Sequence, residues 1–380
     1  DVDLTRRYAP VLFTCRDAGA AHQIKEIIKA FKRGGLQARI AAGGPAYGIL
    51  RNAGLRPSKF TAEGKGRKGV LAGSKALLES IRPSVVFCGL TTIGCGVDEG
   101  VLYWASPEHM DIPSFQFLDS WGTFNSIEGR EPSLYFAMDR DTVLLRRGSR
   151  APMAVVGSPK HYALSRMSVD EVRKDKRKEL GIKENEKLVA YFGQMPSVPG
   201  HMLNFRILVK AFKAYRAGNP SCRLLVRAHP AYAVGYKPYW EFLKRENVPY
   251  INATRQDRVE EVIACCDALA TCYSTSAVDH AYLSCYSSRP IGAAVYLISG
   301  KGMRSYLKSN FGFIRNPLLE RGIGYAIENE KDAAGTLASV LDRKSLINRY
   351  FRKTKAMDSA DPCKKIVGTV TSILRSRYGN

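Results

Sequence analysis

Long apolar runs are missing from this sequence. No segment approaches the roughly 18 consecutive apolar residues that a membrane-spanning helix requires, so the sequence predicts no transmembrane helix. The opening segment, DVDLTRRYAPVLFTC, lacks the apolar core of a signal peptide and leads into a strand-like run. The 9 cysteines are an odd number without the spacings of a disulfide framework, which favours a reducing compartment. We therefore expect a cytoplasmic protein.

Motifs for bound metals are missing as well. The sequence contains neither CxxC pairs nor HExxH, which are typical of structural zinc sites and zinc proteases. Asp-x-Asp occurs at 1–3, on the terminus, and at 139–141, beside arginine, and neither place suits a metal loop. We expect no bound metal and no other cofactor.

Acidic residues are scarce relative to basic ones. The 380 residues include 58 Lys and Arg against 35 Asp and Glu, which leaves a formal net charge of +23. This excess predicts a negatively charged partner, which can be a nucleic acid, a membrane surface or an acidic polymer. Basic clusters occur at 65–68, 146–150, 173–178 and 343–355. Their ordinary interpretation is a solvated helix face, but their spread also suits docking to a large anion.

Short β-branched runs alternate with longer segments of helical spacing along most of the chain. This alternation is typical of parallel βαβ units and predicts an α/β protein, while the length favours two domains. We expect two doubly wound Rossmann-like domains facing a cleft, with ligands beyond the carboxyl ends of the strands. The predicted parts are an N-terminal domain at 1–160, a linker at 161–186, a C-terminal domain at 187–328 and basic helices at 329–380.

The loop after the first predicted strand contains small residues that let a ligand approach the backbone. Arg16, Asp17, Gly19 and His22 belong to this loop and to the start of the next helix. In the alternative interpretation, Asp17 only caps that helix. A GxGxxG spacing at 64–69 follows no strand, so we interpret it as a flexible basic loop.

Carboxylates follow two further predicted strands of the first domain. Asp98 and Glu99 come after the strand at 85–88, and Asp119 comes after the strand at 114–118. Any of them could accept a proton from a hydroxyl group, and Trp121 could stack on a sugar or base. Alternatively, Asp98 and Glu99 are only the acids that a helix dipole favours in its first turn.

Groups suited to phosphate follow the strands of the second domain. Arg227, His229 and Pro230 end the strand at 223–226, where the imidazole could donate to a phosphate group. The hydroxyls of Ser274, Thr275 and Ser276 open a helix and could cap it or hold a phosphate. Two further residues, Gly193 and Gln194, end a strand at a point where a diphosphate could approach the backbone.

This pattern resembles the GT-B nucleotide-sugar glycosyltransferases, in particular bacterial sialyl- and polysialyltransferases, capsule Kdo transferases and CDP-glycerol polymer transferases. The His229-Pro230 dipeptide and the 274–276 hydroxyls match motifs that contact the nucleotide phosphate in these families. Asp98-Glu99-Gly100 matches the acidic motif that supplies the general base in sialyl- and polysialyltransferases. The architecture is shared with UDP-N-acetylglucosamine 2-epimerases.

The resemblance implies a metal-independent inverting glycosyltransferase that uses a nucleotide-sugar donor. Asp98 or Glu99 would deprotonate the acceptor, while His229 and the 274–276 hydroxyls would stabilise the departing phosphate. Asp119 is a separate candidate base. The charge favours a polyanionic or membrane-associated acceptor, such as a bacterial surface glycan, and peripheral association with the inner membrane face. Three alternatives are a phage-type DNA glycosyltransferase, a nucleotide-sugar 2-epimerase or hydrolase, and a non-catalytic nucleic-acid-binding protein.

Overall fold

The computed structural model describes residues 10–92, 94–146, 148–229, 237–254, 258–357 and 360–378. The chain divides into two compact units, with Asp1–Ala163 and Ser359–Asn380 in unit 1 and Leu164–Asp358 in unit 2. Each unit is built around one parallel sheet. The predicted α/β class with two doubly wound domains is therefore confirmed.

Unit 1 contains a parallel sheet of seven strands in the order β3-β2-β1-β4-β5-β6-β7. The strands are β1 Val11–Cys15, β2 Ala38–Ala42, β3 Ser58–Lys59, β4 Val85–Cys88, β5 Ser114–Leu118, β6 Leu134–Ala137 and β7 Met153–Val155. Every residue of β1, β4 and β5 is buried, as expected for parallel strands with helices on both faces. Phe87 on β4 stacks on Phe136 of β6, with ring centroids 5.7 Å apart, in the aromatic core of this sheet.

Most helices of unit 1 connect successive parallel strands. They are α1 Ala18–Arg33, α2 Gly44–Asn52, α3 Gly66–Ile81, α4 Val97–Ala105, α5 Arg140–Leu145 and α6 Pro159–Ala163, and α16 Pro362–Tyr378 is added from the end of the chain. The buried side chains of α1 include Ile24, Ile27, Ile28 and Phe31, which recur at helical spacing. This periodicity is what holds α1 on the sheet, directly beyond the carboxyl end of β1.

Unit 2 contains a parallel sheet of six strands in the order β10-β9-β8-β11-β12-β13. The strands are β8 Leu188–Phe192, β9 Arg223–Arg227, β10 Tyr250–Asn252, β11 Ala268–Thr271, β12 Ala293–Leu297 and β13 Tyr325–Ile327. The helices are α7 Val169–Glu179, α8 His201–Gly218, α9 Lys237–Arg245, α10 Val259–Ala264, α11 Ser276–Tyr286, α12 Lys301–Phe311, α13 Pro317–Glu320, α14 Glu330–Asp342 and α15 Lys344–Lys355.

Both sheets reverse their direction of strand addition at an inner strand pair. Unit 1 grows outward from β1 through β2 and β3, and then restarts on the other side at β4. Unit 2 grows from β8 through β9 and β10, and then restarts at β11. The loops diverge above such a switch point and leave a crevice at the carboxyl ends of the two strands, where α/β proteins bind ligands.

The structure divides the chain differently from the predicted boundaries. Unit 1 extends to Ala163, and most of the expected linker at 161–186 belongs to unit 2. Helix α7 is part of that unit because Arg173 and Arg177 pair with Asp267, whose carboxylate oxygens lie 2.7 and 3.1 Å from the guanidinium nitrogens. The expected C-terminal block at 329–380 is also divided, since α14 and α15 pack in unit 2 whereas α16 packs against α1.

Two further features concern segments outside the sheets. The 64–69 segment was expected to be a flexible loop, but it forms the 3-10 turn Glu63–Lys65 and the first turn of α3. That prediction is wrong, because a helix can begin at this glycine-rich segment without a preceding long strand.

Among the described residues no disulfide joins the cysteines. No helix in the described ranges is long and apolar enough to cross a bilayer.

Candidate functional site

The switch point of unit 1 carries a cluster of carboxylates. Asp17 follows β1, Asp98 begins α4 beyond β4, and Asp119 follows β5, so three neighbouring strands deliver them to one edge of the sheet. Their charges interact, because Asp17 and Asp98 both raise the pKa of Asp119. These three acids therefore converge at one sheet edge, although their surroundings differ.

Asp98 is fully buried and its carboxylate is held by three donors. The Thr14 hydroxyl donates to Oδ1 at 2.6 Å, and the Thr91 hydroxyl donates to Oδ2 at 3.0 Å. The backbone N–H of Gly89 also donates to Oδ1, at 3.2 Å. Burial raises the pKa of Asp98 to about 6, although these hydrogen bonds oppose the shift. This carboxylate joins β1 to β4 at the switch point, and it has no exposed surface for a substrate.

Glu99 closes the first turn of α4. Its side chain accepts a hydrogen bond from the backbone N–H of Gly96 at 2.9 Å and another from that of Thr91 at 3.3 Å. Burial, reinforced by the charge of Asp98, raises the pKa of Glu99 to about 8. The next residue, Gly100, lets α4 approach α3, because a Cβ there would lie 2.3 Å from the Ser74 hydroxyl oxygen. Glu99 and Gly100 therefore have clear roles in helix capping and packing.

Asp119 combines incomplete burial of the residue with a carboxyl pKa near neutrality. Although the residue is partly exposed, burial of its carboxyl group raises the pKa to about 7. The charge of Asp17 adds to the shift, and that of Lys160 opposes it. Oδ2 lies over the first turn of α1, where a Cβ on Gly19 would approach it to 2.5 Å. A group with these properties can hold and release a proton near pH 7.

Asp17 immediately precedes α1, and His22 lies in the second turn of that helix. Asp17 is the N-cap residue, but its side chain makes no capping hydrogen bond and instead accepts from the backbone N–H of Thr92 at 2.7 Å. The capping interpretation of this carboxylate is therefore wrong, and Asp17 ties the β1 loop to the β4 loop. His22 is partly buried, with Nδ1 located 3.4 Å from the Lys25 ammonium nitrogen.

Trp121 does not provide the stacking surface that was expected. Its side chain is only 8% exposed, and its indole N–H donates to the Asp139 carboxylate at 3.0 Å. Asp139 in turn caps α5 by accepting from the backbone N–H of Thr142 at 2.8 Å. The indole therefore packs inside unit 1 and anchors a helix. The prediction failed because the sequence alone does not show that Asp139 accepts a hydrogen bond from the indole N–H.

The switch point of unit 2 is built from amide and hydroxyl groups. The Gln194 side-chain N–H donates to the Thr271 hydroxyl oxygen at 2.8 Å, and that hydroxyl donates to the Phe192 carbonyl at the same distance. This chain links the ends of β8 and β11. Gly193 lies directly above Tyr239, because a Cβ there would come within 2.9 Å of the ring. Only glycine fits there, and its backbone N–H donates to the Arg227 carbonyl at 2.8 Å.

His229 and Arg227 lie at the end of β9, beside β8. His229 is partly buried, and burial lowers the pKa of its imidazole, so the ring is neutral at pH 7. The guanidinium of Arg227 donates to the Ala253 carbonyl, and Ala228 N–H donates to the Thr254 hydroxyl at 3.1 Å. These contacts fix the loop that carries His229. Pro230, the other residue of the predicted pair, lies outside the described residues.

The hydroxyl cluster begins α11 at the end of β11. Ser276 donates to the Ser274 hydroxyl oxygen through its own hydroxyl at 2.9 Å and through its backbone N–H at 3.3 Å. Thr275 is exposed and makes no side-chain capping hydrogen bond. The three strands β9, β8 and β11 are adjacent, so the predicted His, Gly-Gln and hydroxyl segments lie along one sheet edge.

Residues that the sequence did not single out position these groups. Asn204 on α8 donates to the Gly200 and Ser299 carbonyls and accepts from Ser299 N–H at 2.9 Å, which joins the loops after β8 and β12. His201 lies 3.2 Å from the Tyr239 hydroxyl beneath Gly193. The sequence could have indicated Asn204 as a polar residue on the apolar face of a helix. It could not have shown which groups Asn204 would bind. In the described part of the chain, no group of three His, Cys, Asp or Glu residues is placed to hold a metal ion.

Comparison with known proteins supports the two-unit architecture. None of the curated proteins matches this chain. Among solved structures, the S. aureus MnaA-UDP co-structure has a TM-score of 0.70 at 12% identity, covering 96% of this chain and 97% of that one. UDP-GlcNAc 2-epimerase from Neisseria meningitidis bound to UDP-GlcNAc has a TM-score of 0.66 at 12% identity, covering 96% and 100%. The wall teichoic acid polymerase TagF, H444N variant, has a TM-score of 0.58 at 12% identity, covering 98% and 90%.

These similarities show the GT-B fold, which confirms the predicted resemblance. At such identities they establish the fold alone. A family model gives more, because it matches residues 146–357, more than half of the 380 in the chain. That match includes the β8, β9 and β11 loops described above. The chain belongs to the CDP-glycerol:poly(glycerophosphate) glycerophosphotransferase family, and it is a transferase.

Proposed function

We propose that this protein transfers a glycerol phosphate group from a CDP-activated donor to a hydroxyl group of an anionic surface polymer. The family match across 146–357 is the observation that carries the proposal, since the family is described by this donor and polymer. The net charge of +23 supports a polyanionic acceptor, which would be attracted to the basic surface.

Asp119 is the general base of the proposed reaction. Its carboxylate takes the proton from the acceptor hydroxyl, whose oxygen then forms a bond to the phosphorus of the glycerol phosphate group. The bond from that phosphorus to the bridging oxygen breaks, and CMP leaves with the electron pair. A pKa of about 7 suits this role, because about half of the carboxyl groups are ionised at neutral pH and the ionised form is a useful proton acceptor. Asp98 and Glu99 position the loop around it, in place of the catalytic role first expected for them.

Unit 2 residues bind the nucleotide in this proposal. The hydroxyls at the start of α11 and the positive end of its dipole hold the nucleotide phosphates, and His229 donates a hydrogen bond to the leaving phosphate. A neutral imidazole can donate through one nitrogen and so stabilise the charge that develops on CMP. These groups are sufficient to explain a reaction without a bound metal, which we propose as the mechanism.

The acceptor and location follow from the charge distribution. Helix α15 carries exposed Lys344, Arg349, Arg352 and Lys353 and contains no acidic residue. Such a surface attracts an anionic polymer or the anionic lipids of a cytoplasmic leaflet, at about 1 kcal/mol per basic residue near a membrane. We propose a cytoplasmic protein that works at the inner membrane face on a bacterial surface polymer.

A second candidate keeps the sugar chemistry that the motifs first suggested. The fold similarity to structures bound to UDP and UDP-GlcNAc favours it, because those donors carry a diphosphate too. The activity would be inverting sugar transfer, or epimerisation or hydrolysis of a nucleotide sugar. DNA as acceptor is the remaining variant, for which the basic charge is the only support.

Donor and acceptor panels test the proposal. The protein is incubated with CDP-glycerol and with CMP-, UDP- and GDP-sugars, including UDP-GlcNAc. Each donor is tested with and without poly(glycerophosphate), acceptor glycans or duplex DNA. We expect CMP release only from CDP-glycerol with the phosphate polymer, and a thermal shift with CMP or CDP. Conversion of UDP-GlcNAc without an added acceptor would instead establish the epimerase or hydrolase, and transfer to DNA would establish the DNA-modifying enzyme.

A further inference from the structure

One charged pair at the carboxyl edge of unit 1 has no role in the reaction proposed above. Arg16 follows β1, and Glu63 lies in the 3-10 turn that precedes α3. Arg16 Nε and Glu63 Oε2 are 3.6 Å apart, and the side chains are 28% and 15% exposed. A partly buried ion pair between two loops contributes little to the stability of the fold, because the cost of desolvating both charges offsets much of their attraction.

The Glu63 carboxylate lies where two helices begin. The backbone N–H of Gly44, at the start of α2, donates to Oε2 at 3.1 Å. The backbone N–H of Val97, at the start of α4, lowers the pKa of this carboxyl group. Helix N-termini carry partial positive charge, and here two of them and a guanidinium converge on one point. Oε1 is buried and has no hydrogen-bond partner among the described residues, so the carboxylate uses these donors incompletely.

Glycines clear the space around both charged groups. A Cβ on Gly43 would lie 2.0 Å from Glu63 Oε1, and a Cβ on Gly96 would lie 2.7 Å from Arg16 Cδ. Gly44 adopts φ +41°, and a Cβ there would lie 3.2 Å from Arg16 Cγ. The backbone therefore closely surrounds an anion and the cation that holds it. The Glu63 carboxylate is therefore surrounded by a guanidinium and by the first residues of two helices.

A phosphate group would satisfy the same donors better than a carboxylate does. It has three terminal acceptor oxygens and a higher charge, and an arginine guanidinium matches its geometry. Burial raises the pKa of Glu63 despite the neighbouring Arg16, so this carboxylate is not ideally stabilised. The turn that carries Glu63 continues into exposed Lys65, Arg67 and Lys68, which would attract an incoming anion.

We propose that Arg16 and the backbone N–H groups of Gly44 and Val97 form a phosphate-binding site, and that Glu63 is its displaceable internal occupant. The inference rests on the proposed function only for the source of the phosphate, which would be a phosphodiester of the acceptor polymer. Free inorganic phosphate is the other source. An internal competitor lowers the apparent affinity by the fraction of molecules in which it occupies the site.

Phosphate binding by charge variants tests this inference without any transfer assay. Glu63→Gln keeps the side-chain shape and removes the competing charge, so we expect it to bind inorganic phosphate at least about tenfold more tightly than the wild type. Binding is measured by calorimetry at low ionic strength, where screening is weak. The same titrations with glycerophosphoglycerol, a phosphodiester, identify the source, since a larger gain for that probe supports the acceptor polymer.

Two controls match the changes in charge. Glu79→Gln adds the same charge at an exposed position of α3, and Arg39→Gln removes a charge at an exposed position of β2. We expect both to bind as the wild type does, and Arg16→Gln combined with Glu63→Gln to lose the gain. Equal gains in Glu63→Gln and Glu79→Gln, or a gain that survives Arg16→Gln, would overturn the inference.

Folding of the variants is checked by thermal unfolding, and Glu63→Ala serves if Glu63→Gln is unstable. A merely structural cap predicts lower stability for either variant and no gain in phosphate binding, which would also overturn the inference. Because transfer from CDP-glycerol plays no part in these measurements, failure of the anion site and failure of the proposed function give different results.

Discussion

The two sheets share the same topology around their first strands and carry opposite chemistry at their switch points. In unit 1, Asp98 and Asp119 converge beside β1 and β4, and burial raises the pKa of each. In unit 2, Gln194 and Thr271 join β8 to β11, and burial lowers the pKa of the nearby His229. The same physical effect, the cost of burying charge, moves both kinds of group toward their neutral forms.

This comparison shows that the frame and the chemistry are specified separately. The parallel strands only determine where side chains meet, while the residues after each strand decide what meets there. A carboxyl that titrates near neutral pH is suited to moving protons, and a neutral imidazole among hydroxyls and backbone N–H groups is suited to an anion. We therefore expect that the carboxyl edge of either sheet can be inactivated without affecting the other.

Replacement of Asp119 by Asn should have the largest effect. Turnover should fall about 10²- to 10⁴-fold because the acceptor loses its base, while CMP binding stays unchanged. In the wild type, kcat/KM should rise with pH through about 7, as Asp119 loses its proton, and this rise should vanish in Asp119→Asn. Steady-state rates over a pH series check this. A variant that keeps both the rate and the pH profile would remove Asp119 from the mechanism.

Replacement of His229 by Ala should affect the other edge. Turnover should fall about 100-fold, because a preorganised donor to the leaving phosphate is lost. Calorimetry with CMP should show weaker binding, in contrast to Asp119→Asn. If both variants bind CMP as the wild type does, His229 does not take part in nucleotide binding.

Two glycines allow a smaller, paired test. Gly193→Ala would bring a Cβ within 2.9 Å of Tyr239, and Gly19→Ala would bring one within 2.5 Å of Asp119 Oδ2. We expect Gly193→Ala to weaken nucleotide binding about tenfold, since overpacking typically costs 1–3 kcal/mol. Gly19→Ala should lower turnover by a similar factor and leave CMP binding intact. The reverse assignment of these two defects would contradict the comparison.

The smallest effect concerns stability. The folded-state pKa of Asp98 is about 6, against 3.8 for an unperturbed Asp, so the folded protein holds this proton more tightly than the unfolded chain does. The free energy of unfolding should therefore decrease as pH rises from about 4 to about 6, and this contribution should then level off. Asp98→Asn should flatten that part of the curve in urea unfolding at several pH values. An unchanged slope would show that Asp98 does not cause it.

Much of this architecture could be read from the sequence, because strand-length β-branched runs and helical periodicity are local signals. They placed Asp98 and Asp119 after β4 and β5, and His229 after β9, at the correct ends of the strands. What they could not show was burial, which depends on contacts distant in the chain. Asp98 lies inside unit 1 because Thr14, 84 residues earlier, donates to it.

The same limit explains the errors at Trp121 and at the C-terminal helices. Trp121 is buried by its hydrogen bond to Asp139, and α16 joins unit 1 through α1, which lies more than 300 residues earlier in the sequence. Neither contact has a signal in local composition. Glu63 was not singled out at all, since a lone acid in a basic segment gives no sign of the two helix N-termini that hold it.

The most direct test of the central claim measures acceptor-dependent CMP release from CDP-glycerol by the wild type, Asp119→Asn and His229→Ala. The account predicts release that requires the phosphate polymer and that falls at least about 100-fold in both variants. Weaker CMP binding should accompany this fall only in His229→Ala. Release of CMP by the wild type that is equally fast without any acceptor would contradict it.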